Sequence, residues 1–386
     1  MVKKVMLFPS PPSSGSVGST IKCIGIAKLL QSKGVEVAFS IGGRLKAFIE
    51  DCGFMVYDYP VPKTNPKTGQ INNAMDFIKW TGMGEGDFIQ ESIYSEIGAI
   101  EEFQPDIIFC ETRLSASISS RVTNTLTIMV ASWPLNPMFP GNDLDKYNLK
   151  EKYNRILNRY GLNSVDSVLE LFYDFADIKV APTIPELEPE LRSQNVHYLG
   201  LISDTAPSEL PLWYSKWIEK PQIFIYLSVG ALQPELYFKI ILETFRDSDF
   251  RVICGCGFHY KIKRIPEGCE NVRFVDYISI PAIIKDTSLI IFHGGQDMML
   301  TTLANGIPSI TIPGQHFERC YNSTNLELLG ISKKIPLHAF RKNRLLEEIS
   351  KLLKADNMKT YNHYKEVVNS YGGIDKCVNL ICNGFS

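Results

Sequence analysis

Short runs of consecutive apolar residues alternate along this chain with stretches whose apolar residues recur at helical spacing. Residues 5–8 form the first such run, and a loop rich in Pro, Ser and Gly separates it from a helical pattern over 21–33. Residues 35–41 form the next run. Uninterrupted apolar runs are typical of strands buried on both faces of a parallel sheet. The order therefore predicts an α/β fold with a doubly wound sheet.

The same alternation starts again after residue 222, with strand patterns over 223–227, 250–254 and 272–275. The preceding segment, 199–222, is rich in Pro and Trp, as domain linkers often are. A chain of 386 residues is long for one hydrophobic core. We predict two Rossmann-like domains, a linker between them and a final helix that returns to the first domain. Their bounds are 1–205, 206–222 for the linker, 223–360, and 361–386 for the helix.

Residues 289–322 carry the most informative pattern. A predicted strand over 289–292 ends in His293, Gly294 and Gly295, and a helix follows over 298–305. Two glycines allow the backbone to turn sharply and to approach a ligand closely. A helix that begins after such a turn presents free N–H groups and a positive dipole end, which suit a phosphate. Taken alone, the turn is equally compatible with a purely structural role.

Composition and charge exclude several classes of function. The formal net charge of -2 gives no basic surface for a nucleic acid. No run of about 18 apolar residues occurs, so we expect no membrane span, and residues 5–8 are too short for a signal-peptide core. We therefore expect a cytoplasmic protein with reduced thiols. Cys254-Gly255-Cys256 has the wrong spacing for a zinc knuckle, and we expect no metal site.

The stretch from His293 to Asn322 resembles the nucleotide-sugar signature of the UDP-glycosyltransferase superfamily. Its bacterial natural-product branch, which includes the macrolide-type enzymes, is the most similar. The resemblance implies the GT-B fold, in which two Rossmann-like domains have parallel sheets that face each other across a cleft. It further implies inverting transfer from a UDP- or dTDP-sugar to an acceptor hydroxyl, without a metal or other cofactor. The matching positions are His293, Gly294, Gly295, Thr302, Leu303, Gly306, Pro308, Pro313, Glu318 and Asn322.

The resemblance also implies roles in donor binding. His293 and the amides after it would hold the diphosphate, Glu318 would bind sugar hydroxyls, and Asn322 would help hold the phosphates. Tyr277 would stack on the base, while the backbone of Ile278 would read the base edge. The predicted donor-binding residues are Gly230, Ala231, Tyr277, Ile278, His293, Gly294, Gly295, Gln296, Asp297, Met298, Thr301, Glu318 and Asn322.

Three consecutive positions after the glycine turn depart from the donor pattern of the family, and Arg319 stands where the family usually has Gln. Gln296, Asp297 and Met298 stand where the bacterial branch has a small residue followed by Gly-Thr. Met298 cannot donate a hydrogen bond to phosphate. Asp297 would place a negative charge near an anion, or would instead cap the helix. Thr301 weakly favours a dTDP donor over UDP, because bacterial dTDP-sugar enzymes often have threonine there.

The family's catalytic histidine, the general base, is replaced here by Ser16. Serine cannot act as a base near neutral pH without an activating partner. Glu111, which follows a predicted strand over 107–110, matches the acid that orients the histidine in the family. Glu111 is therefore the leading candidate for the base, since a carboxylate in an apolar cleft can have a raised pKa. The alternatives are that Glu111 pairs with Arg113 or caps the next helix.

Two other functions are compatible with the same fold. One is a catalytically impaired protein that binds a nucleotide sugar or a partner, and the other is a UDP-sugar epimerase or hydrolase. The acceptor is expected to be a small molecule or a lipid-linked sugar, and a homodimer is compatible with the sequence. Trp133, Phe139 and Tyr147 are candidates for a hydrophobic acceptor wall.

Overall fold

The computed structural model divides into two compact units, Met1–Asp204 together with Tyr371–Ser386, and Thr205–Ser370. We name them unit 1 and unit 2. Both units are built on parallel sheets with helices between the strands. The residues that the structure describes are 2–11, 17–62, 70–203, 209–215, 217, 220–227, 234–256, 267–354 and 357–383.

Unit 1 contains a seven-stranded parallel sheet. Its strands are β1 (Lys4–Phe8), β2 (Glu36–Ser40), β3 (Met55–Tyr57), β4 (Ile107–Cys110), β5 (Leu126–Val130), β6 (Ile178–Ala181) and β7 (Val196–Tyr198). Its first helices are α1 (Val17–Ser32), α2 (Arg44–Asp51), α3 (Ala74–Trp80), α4 (Gly86–Phe103), α5 (Leu114–Val122) and α6 (Leu149–Arg159). The strand order is β3-β2-β1-β4-β5-β6-β7, so β1 lies inside the sheet. Residues of β1 are buried on both faces, which explains the uninterrupted apolar run.

Unit 2 contains a six-stranded parallel sheet with the order β10-β9-β8-β11-β12-β13. Its strands are β8 (Gln222–Tyr226), β9 (Arg251–Gly255), β10 (Val272–Val275), β11 (Thr287–Phe292), β12 (Ser309–Thr311) and β13 (Ser332–Lys334). Its helices are α7 (Pro234–Phe245), α8 (Ile280–Ile283), α9 (Gln296–Asn305), α10 (Phe317–Leu328), α11 (Lys342–Leu352) and α12 (Met358–Ser370). Phe292 pairs with Tyr226 on one side and with Thr311 on the other. The carboxyl ends of β8, β11 and β12 therefore meet at one edge, where such sheets bind ligands.

The C-terminal segment forms two helices rather than the single helix predicted over 361–386. Helix α12 belongs to unit 2, where Asn369 Nδ2 donates to the Ala304 carbonyl at 2.9 Å. Helix α13 (Gly373–Asn383) belongs to unit 1. The Gly373 N–H donates to the Leu199 carbonyl at 2.8 Å, and Cys377 lies in the core that also contains β1.

Two segments in the middle of unit 1 differ from what their sequence suggests. The sequence predicts mostly helix over residues 147–175, but α6 ends at Arg159, and Gly161 has a φ of 70°. Asn154 then holds the loop back on the helix, because its Nδ2 donates to the Val165 carbonyl at 3.0 Å and its Oδ1 accepts from the Val165 N–H. The 18-residue helix α4 lies in a region that had no regular pattern in the sequence.

Candidate functional site

The glycine turn predicted from the sequence lies at the carboxyl end of β11. Gly294 has a φ of 85°, which favours glycine, and Gly295 is the N-cap of α9. The helix begins at Gln296, two residues earlier than expected. Asp297 therefore lies in the first turn and is not the N-cap, which corrects one of the roles considered for it. A carboxylate in the first turn still interacts favourably with the helix dipole.

Helix α10 supports this turn directly. A Cβ atom added at Gly294 would lie 2.5 Å from Ser323 Oγ and 2.7 Å from the Arg319 carbonyl oxygen. Asn322 Nδ2 donates a hydrogen bond to the Gly294 carbonyl oxygen at 3.0 Å. Asn322 is only 2% exposed. The turn is thus packed against α10, and only glycine fits at position 294.

The imidazole of His293 lies over the start of α9. A Cβ atom added at Gly295 would be 2.7 Å from His293 Nε2, so the ring lies close to that residue. On its other side the ring approaches Tyr226, with 5.6 Å between the ring centroids. The structure therefore places an imidazole, a glycine turn and a helix N-terminus together, as the sequence predicted. Backbone N–H groups and a dipole at such a position bind anions.

The remaining predicted donor residues differ in exposure. Tyr277 is 53% exposed and is therefore not a core residue, whereas Ile278 is buried. Met298 is 6% exposed and packs inside the unit. Thr301 Oγ1 donates to the Asp297 carbonyl at 2.7 Å, within α9. Glu318 lies in the first turn of α10 and is half-buried. Gly230, Ala231 and Ser16 lie outside the described residues.

His316 is a neighbour of this site that the sequence analysis did not select. It is the N-cap of α10, and its ring stacks on Phe317 with centroids 5.5 Å apart. Within the described chain, its Nδ1 atom is buried without a hydrogen-bond partner. Burial, together with the charge of Arg319, lowers the pKa of His316 to about 3. The side chain is therefore neutral at physiological pH. Its place two residues before Glu318, at a helix start, was the signal that could have identified it.

In unit 1, Glu111 forms a buried ion pair with Lys22 of α1. The Lys22 Nζ and Glu111 Oε1 atoms are 3.2 Å apart, and the two side chains are 4% and 5% exposed. Glu111 therefore takes neither of the alternative roles considered for it. It does not pair with Arg113, which pairs with Glu96, and it does not cap α5, whose N-cap is Arg113. The ammonium stabilises the ionised form of the carboxylate. The sequence analysis did not select Lys22, because Lys22 lies among apolar residues in a helix that carries no recognisable motif.

Arg113 belongs to a second buried polar cluster, at the carboxyl ends of β1 and β2. Its Nη2 atom donates to the carbonyl oxygens of Pro9 at 2.7 Å and Ser40 at 2.8 Å. Its Nη1 atom lies 3.4 Å from Glu96 Oε1, and both side chains are fully buried. Burial raises the pKa of Glu96. The guanidinium also lies 3.9 Å from the centroid of the Tyr59 ring, a cation–π contact.

Of the three aromatic residues considered for an acceptor wall, two are in contact. Trp133 and Phe139 pack edge to face, with ring centroids 6.4 Å apart. Tyr147 instead donates to Asp76 Oδ1 at 2.7 Å, and Lys79 Nζ lies 4.3 Å from the centroid of its ring. Tyr147 is therefore part of a separate polar cluster.

No described helix is both long and apolar enough to cross a membrane. The described ranges also contain no group of three or more His, Cys, Asp or Glu side chains suited to a metal ion.

Sequence comparisons place this chain among known proteins. Residues 233–372 match the family described as the glycosyltransferase family 28 C-terminal domain. The chain is 33% identical over 331 residues to the aclacinomycin-T 2-deoxy-L-fucose transferase of Streptomyces galilaeus, which covers 81% of this chain and 73% of that protein. It is 22% identical over 268 residues to a PGL/p-HBAD biosynthesis glycosyltransferase of Mycobacterium tuberculosis. That match covers 63% of this chain and spans only 61% of the length of the mycobacterial protein.

Solved structures show the same fold. The spinosyn rhamnosyltransferase SpnG, in its complex with thymidine diphosphate, matches with a TM-score of 0.76 and 12% identity, covering 99% of this chain and 100% of its own. The glycosyltransferase SnogD from Streptomyces nogalater matches with a TM-score of 0.72 and 17% identity, covering 99% of each chain. At these identities the likeness establishes the fold.

Proposed function

Because the chain belongs to the family of bacterial natural-product glycosyltransferases, we propose that it transfers a sugar from a nucleoside-diphosphate sugar to an acceptor hydroxyl, with inversion of the anomeric centre. The predicted GT-B fold and the predicted membership among these enzymes are confirmed. The relatives do not favour the alternatives, an epimerase or hydrolase and a catalytically impaired binding protein.

The observation that carries the proposal is the cradle formed by His293, the Gly294–Gly295 turn and the start of α9. The turn is packed on α10, and the imidazole lies over Gly295. These groups would hold the donor diphosphate and stabilise the negative charge that develops on it during transfer. Backbone amides, the imidazole and the helix dipole would take the place of a divalent cation. Transfer is therefore expected to be insensitive to EDTA.

Among nucleotides, dTDP is the donor moiety that we propose. Thr301 stands in α9 where dTDP-sugar enzymes of the family often have threonine, and the SpnG complex contains thymidine diphosphate. The exposed ring of Tyr277 would stack on the base, an interaction worth about 1–3 kcal/mol. Glu318, in the first turn of α10, would bind sugar hydroxyls.

For the chemical step, Glu111 is the proposed base. In an inverting displacement, the acceptor oxygen bonds to the anomeric carbon as the bond to the diphosphate breaks, and the acceptor proton moves to the base. Lys22 favours the ionised carboxylate, which is the form able to accept a proton. Ser16 would contribute only with an activating partner. The acceptor would be a small molecule or a lipid-linked sugar, with the Trp133–Phe139 pair as an apolar contact.

Calorimetric titration tests the donor site. The wild type, His293→Ala and the control His338→Ala would each be titrated with dTDP, UDP and GDP. His338 is another histidine of unit 2, and its side chain is exposed. We expect saturable binding of dTDP that is lost in His293→Ala and kept in His338→Ala. Tighter binding of UDP or GDP would overturn the choice of nucleotide, and no binding of any of the three would overturn the proposed donor site.

A further inference from the structure

A side-chain hydrogen bond links α10 to the glycine turn. Asn322 Nδ2 donates to the Gly294 carbonyl oxygen at 3.0 Å. With an exposure of 2%, the Asn322 side chain has almost no surface from which to contact a ligand directly. Its side-chain amide instead donates to the backbone of Gly294, the residue before the N-cap of α9.

This bond sets the direction of the next amide. The described chain contains no cis peptide bond, and in a trans peptide the C=O and N–H groups point in opposite directions. Since Asn322 draws the Gly294 carbonyl toward α10, the N–H of Gly295 points away from α10. Within the described chain, no group accepts a hydrogen bond from that N–H. It is therefore available to a ligand at the start of α9.

Steric contacts with α10 also confine the turn at Gly294. The space beside the Gly294 Cα atom is closed by Ser323 Oγ and by the Arg319 carbonyl, both on α10. This packing resists small rotations of the peptide, but it would accept either the carbonyl or the N–H group facing α10. The hydrogen bond from Asn322, a donor, selects the orientation in which the carbonyl faces α10.

We propose that Asn322 is a positioning residue, which aims the Gly295 N–H at the donor diphosphate by holding the Gly294 carbonyl. The proposal rests on the proposed function, because the anion is the diphosphate of the nucleotide sugar. It differs from the role that the sequence predicts for Asn322, a direct contribution to holding the phosphates. The two roles are distinguishable in the ligand-free protein, where only a positioning residue affects the turn.

The sequence offers a selective probe for this peptide. Adjacent glycines occur only at Gly42–Gly43, Gly294–Gly295 and Gly372–Gly373. If glycine is supplied with both a ¹³C carbonyl and a ¹⁵N amide, an HNCO spectrum of the deuterated protein contains only the amides of Gly43, Gly295 and Gly373. Gly43 and Gly373 are internal controls, because both lie in unit 1.

The variant is Asn322→Asp, whose carboxylate has the same shape but cannot donate to a carbonyl when ionised. Its matched control is Asn369→Asp, because Asn369 Nδ2 also donates to a backbone carbonyl, that of Ala304 at the opposite end of α9. Thermal melting would show that both variants are folded. The probe ligand is dTDP, with UDP in parallel.

Three results are expected. In the wild type, dTDP shifts the Gly295 amide proton downfield and leaves Gly43 and Gly373 unchanged. In ligand-free Asn322→Asp, the Gly294 carbonyl resonance moves upfield, as it does when a carbonyl loses a hydrogen bond. The same variant binds dTDP at least about tenfold more weakly, the factor that corresponds to a buried carbonyl left without its partner. Asn369→Asp resembles the wild type in all three measurements.

The outcomes separate this proposal from the proposed function. A wild type that binds neither nucleotide contradicts the proposed function itself. If dTDP binds but the Gly295 amide does not respond, the inferred contact is wrong, and this test needs no variant to fold. Weaker binding in Asn322→Asp with an unchanged ligand-free spectrum would show a direct phosphate contact and overturn the positioning role.

Discussion

Replacing Lys22 by methionine removes the ammonium group from its buried pair with Glu111 and keeps most of the apolar stem. The two charged atoms are 3.2 Å apart, and both side chains are at most 5% exposed. At an effective dielectric constant of about 20, Coulomb's law gives an attraction of about 5 kcal/mol. Removing one partner of a buried pair typically costs about 3–5 kcal/mol. We expect Lys22→Met to lower the free energy of unfolding of unit 1 by about that amount.

The matched control is Lys150→Met. Lys150 Nζ lies 3.2 Å from Asp166 Oδ1, the same separation, but these side chains are 47% and 97% exposed. Exposed pairs contribute about 0–1 kcal/mol, so the comparison isolates the effect of burial. Both variants would be unfolded in guanidinium chloride and followed by tryptophan fluorescence, with separate transitions fitted for the two units. If Lys22→Met costs no more than Lys150→Met, the argument from burial is refuted.

The double variant Lys22→Met/Glu111→Gln extends the test to catalysis. It removes both charges, so we expect it to recover most of the stability lost in Lys22→Met. If Glu111 is the base, this folded variant should transfer sugar about 10²–10⁴-fold more slowly than the wild type. Undiminished transfer would show that the pair is purely structural.

Three further variants test other parts of the structure. Gly294→Ala should lose more stability and more dTDP affinity than Gly330→Ala, because both have positive φ but only Gly294 is closed in by neighbours. The free energy of unfolding of unit 2 should fall by up to about 1.4 kcal/mol per pH unit below pH 6.5, because His316 is neutral in the folded protein and is protonated only on unfolding. Denaturation curves of His316→Phe should not show this fall. Arg113→Met should destabilise unit 1 by about 3–5 kcal/mol in chemical denaturation, and Arg113→Met/Glu96→Met should recover most of that loss.

The strands and the glycine turn were predictable because their signals are local. An uninterrupted apolar run such as residues 289–292 predicts a buried strand, and β11 covers these residues. Gly306 likewise marked the end of α9 and has the left-handed conformation expected there. Helix α4 was not predicted, because polar residues among its buried positions and glycines nearby weaken the helical pattern of apolar residues. The extent of α6 was overestimated because the bonds from Asn154 to Val165 cannot be read from helical spacing.

What the sequence determined by itself was the alternation of buried strands with helices in each half, the two parallel sheets and the position of the His-Gly-Gly turn, since each depends on neighbouring residues. The tertiary structure decided which side chains act together. Lys22 and Glu111 are far apart in sequence, and only the pairing of β1 with β4 beneath α1 brings their charges to 3.2 Å. Asn322 meets Gly294 only because α10 packs against the turn, and that contact makes its amide a partner of the backbone. Contacts of this kind depend on packing between elements, which no local pattern of residues encodes.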